Sequence, residues 1–366
     1  MSENRPPDTE RGLNMYQQGL KELEIISKAA GTRIDYVQGG GGNTSVKLND
    51  ELMAVKASGF KLNQITPTEG FVVVNYKDIK NYYENVDLSQ DVDFEKESVE
   101  KAKKSVVAME GLKVLRPSVE AGFHSILKKY VIHTHAVYAN ILCCSKEGPE
   151  TVEKLFKGKE YAFLWIPYIN PGFCLTLKIK EEIGKCIAET GKFPEVVFME
   201  NHGLIVTSDD HEKAIALHDE VNDIIMAHFG LTEEYPGIEL EKTGEDAFRS
   251  RTGFLADFFN GKAIDFSFFE KFSLYPDQLV YLNGSLSVDG PENKLNINTK
   301  TGELLYKTNY SEALTIEETL LGYVYVIKGI EKCGLTIKTM SERDVDFIRN
   351  WESEAYRKSL VKDIAK

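Results

Sequence analysis

The spacing of apolar residues alternates between helix-like and strand-like along the first 230 residues. Residues 13–31 carry apolar side chains at helical spacing and end at Gly31, which predicts an amphipathic helix closed by glycine. Short apolar runs predict strands at 46–48, 52–56 and 71–76, with a hairpin turn between the first two.

The same patterns continue downstream and predict elements in close succession. Helices are expected at 93–109, 118–129, 136–144, 177–192 and 209–230, and strands at 130–135 and in two runs within 195–208. Several strand pairs lie close enough for hairpins. A mixed or antiparallel sheet with helical layers is therefore favoured over a doubly wound parallel sheet.

The composition shifts after about residue 232, and this shift defines the predicted domains. Residues 232–248 are acidic and contain Pro236 and two glycines, which predicts a linker. Strands within 278–288, where a turn is expected at Asn283-Gly284, and at 294–298 and 303–309, followed by helices at 313–334 and 341–365, predict a smaller α+β unit. We expect a short disordered N-terminal segment (1–12), a larger first domain (13–232) and a C-terminal α+β domain (245–366).

Charge and composition narrow the classes of function and location. The net charge of −13 and the pI near 5.2 argue against a general nucleic-acid-binding surface, although a local pocket could still bind a phosphorylated substrate. No apolar run approaches the ~18 residues that span a bilayer, and the polar N-terminus does not fit a signal peptide. The five cysteines are an odd number without C-x-x-C spacing, which favours reduced thiols in a cytoplasmic protein.

Two histidines at 133 and 135 are the first candidates for chemistry. On a strand, a spacing of two places both imidazoles on one face, where they form either a metal-binding pair or two structural residues at a strand end. Glu120, on the preceding helix, and His202, on a turn between two strands, favour the metal hypothesis. Three histidines and one carboxylate are a donor set suited to tetrahedral Zn²⁺.

A run of four glycines, Gly39–Gly42, precedes Asn43 and is the second unusual feature. Such a run either turns backbone N–H groups toward an anion such as phosphate or forms a flexible surface loop. It is neither a Walker loop nor a dinucleotide fingerprint, because no G-K-S/T follows and Thr44 stands where the last glycine belongs. The segment 56–59 and Ser118 could complete an anion site.

Among the other histidines, His124 could support Glu120, and those at 211, 218 and 228 are expected to be surface or packing residues.

Five stretches, taken together, resemble a known family. They read GGGGNTSVKL, VKASG, SVEAGFH, VIHTHAVYANIL and MENHGLIVTS. In this order they resemble the class II sugar-phosphate aldolases, a family that includes ribulose-phosphate 4-epimerase and the adducin head. The resemblance covers roughly residues 13–230. The pieces GGGNTSVK, YPDQLVYLNG and NWESEAYR look most like the aldolase portion of rhamnulose-phosphate aldolase/dehydrogenase fusions, here expected to stand alone.

The resemblance implies a fold, a cofactor and a set of site residues. It implies a three-layer α/β fold with a largely antiparallel central sheet, and one Zn²⁺ per subunit. The implied zinc ligands are His133, His135 and His202, with Glu120 as a ligand in the empty site and as acid/base catalyst when substrate is bound. The residues at phosphate-binding positions are Gly42, Asn43, Ser58, Gly59 and Ser118.

The resemblance also implies a reaction, namely reversible cleavage of a phosphorylated ketose into dihydroxyacetone phosphate and an aldehyde through a metal-stabilised enolate. Epimerase or dehydratase chemistry on the same metal site is the alternative enzyme reaction. A non-catalytic, adducin-like scaffold is less favoured because that branch lacks the metal histidines. A homotetramer acting on a small molecule is expected, without nucleic-acid or membrane partners. The family's catalytic tyrosine is not placed, and Tyr138 and Tyr168 are among the candidates.

Overall fold

A seven-stranded sheet forms the centre of the first 230 residues in the computed structural model, which describes residues 13–350. The disordered lead predicted for residues 1–12 and the end of the predicted last helix lie outside the described residues. The strands follow the order β3-β2-β1-β4-β7-β6-β5, and every neighbouring pair is antiparallel except β5 and β6. Their bounds are β1 Asn43–Lys47, β2 Leu52–Lys56, β3 Phe71–Asn75, β4 Tyr130–Thr134, β5 Ala162–Ile166, β6 Pro194–Met199 and β7 Gly203–Ser208.

Helices cover both faces of this sheet and give a three-layer arrangement. Residues of α1 and α8 share one apolar cluster with the side chains of Tyr130 and Ile132, and residues of α4 and α7 share another with Val131. Alternate side chains of β4 therefore point into opposite layers. The helices of this part are α1 Gln17–Gly31, α2 Tyr76–Asn85, α3 Phe94–Lys104, α4 Ala121–Ile126, α5 Val137–Cys143, α6 Gly148–Phe156, α7 Phe173–Thr190 and α8 His211–Phe229.

The C-terminal part forms a second sheet of five strands with its own helices. The strand order is β10-β11-β12-β9-β8, with β10 and β11 parallel and the other pairs antiparallel. The strands are β8 Leu240–Gly244, β9 Ala247–Ser250, β10 Leu286–Val288, β11 Leu295–Asn298 and β12 Glu303–Lys307. The helices are α9 Gly253–Phe259, α10 Phe266–Lys271, a π-helical turn at Gln278–Leu282, α11 Tyr310–Lys332 and α12 Glu342–Asn350.

Helix α5 joins the two parts through one apolar core. All seven of its residues are buried, and its side chains belong to the same cluster as those of α11. The two helices approach so closely that a Cβ on Gly329 would lie 2.4 Å from Ile141 Cδ1. This packing explains why residues 136–144 are apolar apart from Asn140, a pattern typical of a fully buried helix.

The structure confirms the predicted fold class, a mixed α/β chain with a largely antiparallel central sheet and a smaller α+β part. Three local predictions were wrong. Helix α3 ends at Lys104, because Val107 N–H donates to the carbonyl of Val73 and the chain continues beside the sheet edge. Strand β8 lies within the predicted linker, where it forms a hairpin with β9 and its Glu241 pairs with Arg251.

The third difference concerns residues 278–282, which were predicted to form a strand before the turn at Asn283-Gly284. The segment begins as the π-helical turn and becomes the strand β10 only at Leu286. The side chain of Gln278 reaches back to Leu274 N–H and to the carbonyl of Phe269, which holds the start of the turn in place. The apolar run that suggested a strand is buried in a cluster with Met340, Val345 and Ile348.

Within the described residues, no helix is both long and apolar enough to cross a membrane.

Candidate metal centre

Strand β4 presents His133 at the middle of the central sheet, and His135 follows directly after its last residue, Thr134. His133 is paired with Asn43 of β1 on one side and with Ile205 of β7 on the other. The intervening Thr134 points to the opposite layer, where its hydroxyl bonds His218 Nε2 of α8 at 2.7 Å. Both imidazoles of the H-x-H pair consequently occupy the same face, and both are buried.

The turn between β6 and β7 brings His202 to this pair. Asn201 adopts a left-handed backbone conformation with φ 50°, and its side chain donates to the carbonyls of Leu274 and Lys338 from the C-terminal part. These bonds fix the turn from outside the sheet. His202 then follows the turn into the space beside the other two rings, with centroids 5.0 Å from His133 and 5.3 Å from His135.

Glu120 completes the cluster from the position preceding α4. Its Oε1 lies 3.6 Å from His133 Nε2 and 3.3 Å from His202 Nε2. Its Oε2 accepts a hydrogen bond of 2.7 Å from Asn43 Nδ2, which also donates to Ser118 Oγ at 2.7 Å. The carboxylate is thereby held between the histidines and the β1 strand.

Hydrogen bonds at the far side of two rings decide which nitrogen faces the cluster. His133 Nδ1 lies 3.0 Å from the carbonyl oxygen of Leu204, and His135 Nδ1 lies 2.5 Å from Asp277 Oδ2. A carbonyl and a carboxylate only accept, so Nδ1 carries the proton in both rings. The Nε2 atoms of both rings then face the cluster, where they lie 3.2 Å apart.

Burial and charge act on the titrating groups of the cluster in opposite directions. Burial disfavours the charged form of Glu120, but the neighbouring His133 and His202 imidazoles outweigh it and hold the pKa of Glu120 well below its usual range. Burial lowers the pKa of His202 to about 4, against the hydrogen bond to Glu120 that raises it. An ionised carboxylate is the form in which Glu120 could bind a metal ion.

The donor set fits a divalent cation. One ligand atom from each of His133, His135 and His202 lies within 4.8 Å of the others. Two bare nitrogen lone pairs 3.2 Å apart repel each other unless a cation or proton lies between them. Zn–N bonds of about 2.0–2.1 Å at a tetrahedral angle place two nitrogens about 3.3 Å apart, close to the observed distance.

A polar cleft opens beside the cluster and contains three of the residues expected to bind phosphate. Ser58, Gly59 and Ser118 line it together with Lys56 and Lys61. The other two expected residues, Gly42 and Asn43, lie between the cleft and the histidines. Asn43 donates a hydrogen bond to Ser118. Gly42 has a φ of 74° and packs against the backbone carbonyl oxygen of His133.

The C-terminal part forms the opposite wall of this cleft, which the sequence patterns did not predict. Tyr281, Ser311 and Thr315 line it. Glu318 of α11 accepts from Gly39 N–H at 2.8 Å and pairs with Lys61 Nζ at 2.9 Å. A side chain of the protein itself thus binds the first N–H of the glycine run.

Asp277 is the functional candidate that sequence reasoning missed. It lies 142 residues from His135 and carries no local motif, so only the stretch YPDQLVYLNG, noted for its resemblance, drew attention to the segment. His124 has a different role from the one considered: its Nδ1 lies 2.7 Å from Ser45 Oγ, and burial lowers its pKa to about 3. Tyr138 lies in the apolar core beside Tyr325, away from the cleft.

Comparison with known proteins places this geometry in a family. The family model described as "Class II Aldolase and Adducin N-terminal domain" matches residues 26–228, more than half of the chain. The chain belongs to this family. The match includes all three histidines, Glu120 and the glycine run, and so confirms the resemblance found in the sequence.

Two curated relatives carry different activities in their names. The "Uncharacterized oxidoreductase YuxG" of Bacillus subtilis is 28% identical over 252 residues, which are 65% of this chain and 34% of the relative. The chain thus spans about a third of that relative's length. The "3-oxo-tetronate 4-phosphate decarboxylase" of Haemophilus influenzae is 27% identical over 224 residues, which are 58% of this chain and 87% of the relative.

Solved structures of family members were also found. The N-terminal class II aldolase domain of a conserved protein from Thermoplasma acidophilum is 23% identical, with a TM-score of 0.47 over 62% of this chain and 99% of that chain. An L-fuculose 1-phosphate aldolase is 20% identical, with a TM-score of 0.38 over 60% of this chain and 88% of that chain.

Proposed function

We propose that the chain is a zinc-dependent class II aldolase that reversibly cleaves a phosphorylated ketose into dihydroxyacetone phosphate and an aldehyde. The observation that carries the proposal is the convergence of three buried imidazoles and one carboxylate, with the Nε2 atoms of His133 and His135 3.2 Å apart. His133, His135, His202 and Glu120 would hold the ion. When bound, Zn²⁺ supplies a Lewis acid for the negative charge that develops on the ketone oxygen during carbon–carbon cleavage.

Glu120 is the proposed proton carrier. Cleavage beta to a ketone removes a proton from the hydroxyl of the carbon that becomes the aldehyde, and a proton is later delivered to the other fragment. The Glu120 carboxylate is the group positioned to accept the first proton, and the Asn43 amide holds its Oε2 at 2.7 Å so that Oε1 remains on the histidine side. The same carboxylate can then return the proton.

The polar cleft is the proposed phosphate site. The Ser58 and Ser118 hydroxyls can donate to phosphate oxygens, and Lys56 and Lys61 supply positive charge. Because Asn43 bonds both Ser118 and Glu120, a phosphate in the cleft would lie one side chain away from the proton carrier. This connection would orient the substrate relative to the metal centre.

A second candidate function is decarboxylation of a phosphorylated 3-oxo acid. The name of the Haemophilus influenzae relative favours it, and loss of CO₂ beta to a ketone leaves the same kind of charge on the ketone oxygen. Epimerase or dehydratase chemistry would use the same donors. The non-catalytic, adducin-like alternative is weakened by the presence of all three histidines.

Product analysis separates these reactions. The zinc-loaded protein is incubated with a panel of phosphorylated ketoses and of 3-oxo-4-phosphate acids, and the products are identified by mass spectrometry and NMR. The aldolase proposal expects an aldehyde and dihydroxyacetone phosphate in equal amounts. Release of CO₂, or an isomer with no cleavage, would replace it by a decarboxylase or an epimerase.

We further propose that the protein acts as a cytoplasmic homotetramer. This assembly is the one common in the family to which the chain belongs. Sedimentation equilibrium of the purified protein gives the mass directly, and a monomer at micromolar concentration would contradict the proposal.

A further inference from the structure

His135 differs from the other two histidines in the source of its hydrogen-bond partner. His133 Nδ1 donates to a backbone carbonyl of the central sheet, and His202 Nδ1 has no hydrogen-bond partner among the described residues. His135 Nδ1 donates instead to a carboxylate from the C-terminal part, Asp277, whose side chain is only 1% exposed.

We propose that Asp277 is a positioning residue for the metal centre, so that the C-terminal part completes the site rather than merely covering it. This inference rests on the proposed function, because it assigns His135 as a metal ligand. A carboxylate that accepts Nδ1–H fixes the tautomer, directs Nε2 toward the cluster and makes that nitrogen a stronger donor to a metal.

The glycine run is shaped around this contact. A Cβ on Gly41 would lie 2.4 Å from Asp277 Oδ2 and 2.7 Å from His135 Nδ1, and one on Gly40 would lie 2.5 Å from the Tyr281 hydroxyl. Residues with side chains at these two positions would separate the C-terminal part from the histidine. The absence of side chains at Gly40 and Gly41 therefore serves the approach of Asp277 and Tyr281.

Hydrogen bonds and apolar contacts of the neighbouring segments fix the position of Asp277 relative to His135. Asn201, next to His202, binds the carbonyl of Leu274 at 2.7 Å, three residues before Asp277. Glu318 binds Gly39 N–H at 2.8 Å on the glycine run itself. The π-helical turn that follows Asp277 packs against Met340 and α12. These anchors give the carboxylate one defined position relative to His135.

The test measures metal binding, not turnover. Full-length protein is stripped of metal, and Zn²⁺ affinity is measured by competition with a chromogenic chelator for wild type, Asp277→Ala and Asp277→Asn. Loss of the carboxylate in D277A should weaken Zn²⁺ binding by about 10- to 100-fold. D277N should lose less, because its amide oxygen still accepts Nδ1–H without the negative charge. The absorption spectrum of the Co²⁺-loaded protein should change in both variants.

Glu317→Gln is the matched control. Glu317 is also a buried carboxylate of the C-terminal part, but it accepts from Ser250, Thr252 and Tyr306 and does not contact the histidines. E317Q should keep wild-type Zn²⁺ affinity and the wild-type Co²⁺ spectrum.

Three results would overturn the inference in distinguishable ways. Wild-type affinity and spectrum in D277A would show that the carboxylate does not position His135. An equal loss in E317Q and D277N would assign the effect to general loosening of the C-terminal part. A wild-type protein that takes up no Zn²⁺ would overturn the proposed function together with this inference.

Discussion

The close contact at Gly41 leads to a quantitative prediction for the substitution Gly41→Ala. The added methyl would lie 2.4 Å from Asp277 Oδ2, 2.7 Å from His135 Nδ1 and 3.1 Å from the carbonyl of Gln38. Favourable contacts between heavy atoms need about 3.5 Å, so the carboxylate or the ring has to move by about 1 Å. Gly41 has an ordinary negative φ, so backbone strain does not contribute.

Two costs follow from this displacement. Overpacking a buried site without room to relax costs about 1–3 kcal/mol of folding stability. Misalignment of His135 should also weaken Zn²⁺ binding by about 10-fold or more. Effects of this size follow when a metal-ligating histidine loses its hydrogen-bond partner. G41A should therefore combine a lower free energy of unfolding with a lower metal affinity.

The control substitution is Gly184→Ala, on the exposed side of α7. A Cβ there would meet nothing within 4 Å. Alanine in a helix is about 0.5–1 kcal/mol more favourable than glycine, so G184A should be slightly more stable than wild type with the same metal affinity.

Urea unfolding of the metal-free proteins gives the stability change, and chelator competition gives the metal affinity. The two measurements are made separately, so that binding energy does not mask the folding term. If G41A unfolds at the wild-type urea concentration and binds Zn²⁺ as wild type does, the close packing of Asp277, His135 and Gly41 is refuted.

Three further predictions concern catalysis, stability and pH. Glu120→Gln should lower kcat by about 100- to 10,000-fold while the three histidines retain the metal, as measured by steady-state kinetics and metal analysis of the same sample. Glu317→Ala should lower the free energy of unfolding by about 2 kcal/mol or more, because three hydroxyls lose a buried acceptor. The control Glu241→Ala, at an exposed ion pair, should change it by less than about 0.5 kcal/mol. Equal urea midpoints for the two variants would contradict this difference. Burial lowers the pKa of His218 from 6.5 to about 3. Between these two pH values the unfolded chain takes up a proton at this residue and the folded chain does not. The stability of the metal-free protein should therefore fall as the pH decreases from 6.5. His218→Gln should flatten this pH dependence in urea titrations between pH 7 and 5, and an unchanged slope would count against it.

Elements with strong periodicity could be predicted from the sequence. The helix α8 was expected over residues 209–230, and the structure has His211–Phe229, with the Asp210 side chain accepting from Lys213 N–H. The spacing of two in H-x-H correctly placed both rings on one face of β4. Both features follow from local backbone geometry, which determines the spacing of residues that share one face.

The contribution of the C-terminal part could not be predicted from local patterns. Asp277 and Glu318 are ordinary acidic residues in their own segments, and they reach the site through the packing of the C-terminal part on the first part, which includes that of α11 on α5. The apolar run after Asp277 has no period that separates a buried strand from a buried helical turn. Strand β5 had no predicted counterpart either, since its pattern gave no clear alternation.

The structure gives the glycine run a role in addition to the one that its composition suggested. Its composition suggested an anion-binding nest, and phosphate binding at Gly42 and Asn43 remains a prediction. In the structure, the N–H of Gly39 already donates to Glu318, and the next two glycines admit Tyr281 and Asp277. Contacts between distant segments therefore account for several of the glycines.

Metal analysis of the purified protein tests the central claim most directly. Wild-type protein and His133→Ala are passed through the same chelating and Zn²⁺-reloading steps, and zinc per chain is measured by inductively coupled plasma mass spectrometry. The proposed centre predicts one tightly held Zn²⁺ per wild-type chain and a loss of nearly all of it in H133A. Equal zinc content in the two proteins, or none in either, would contradict it.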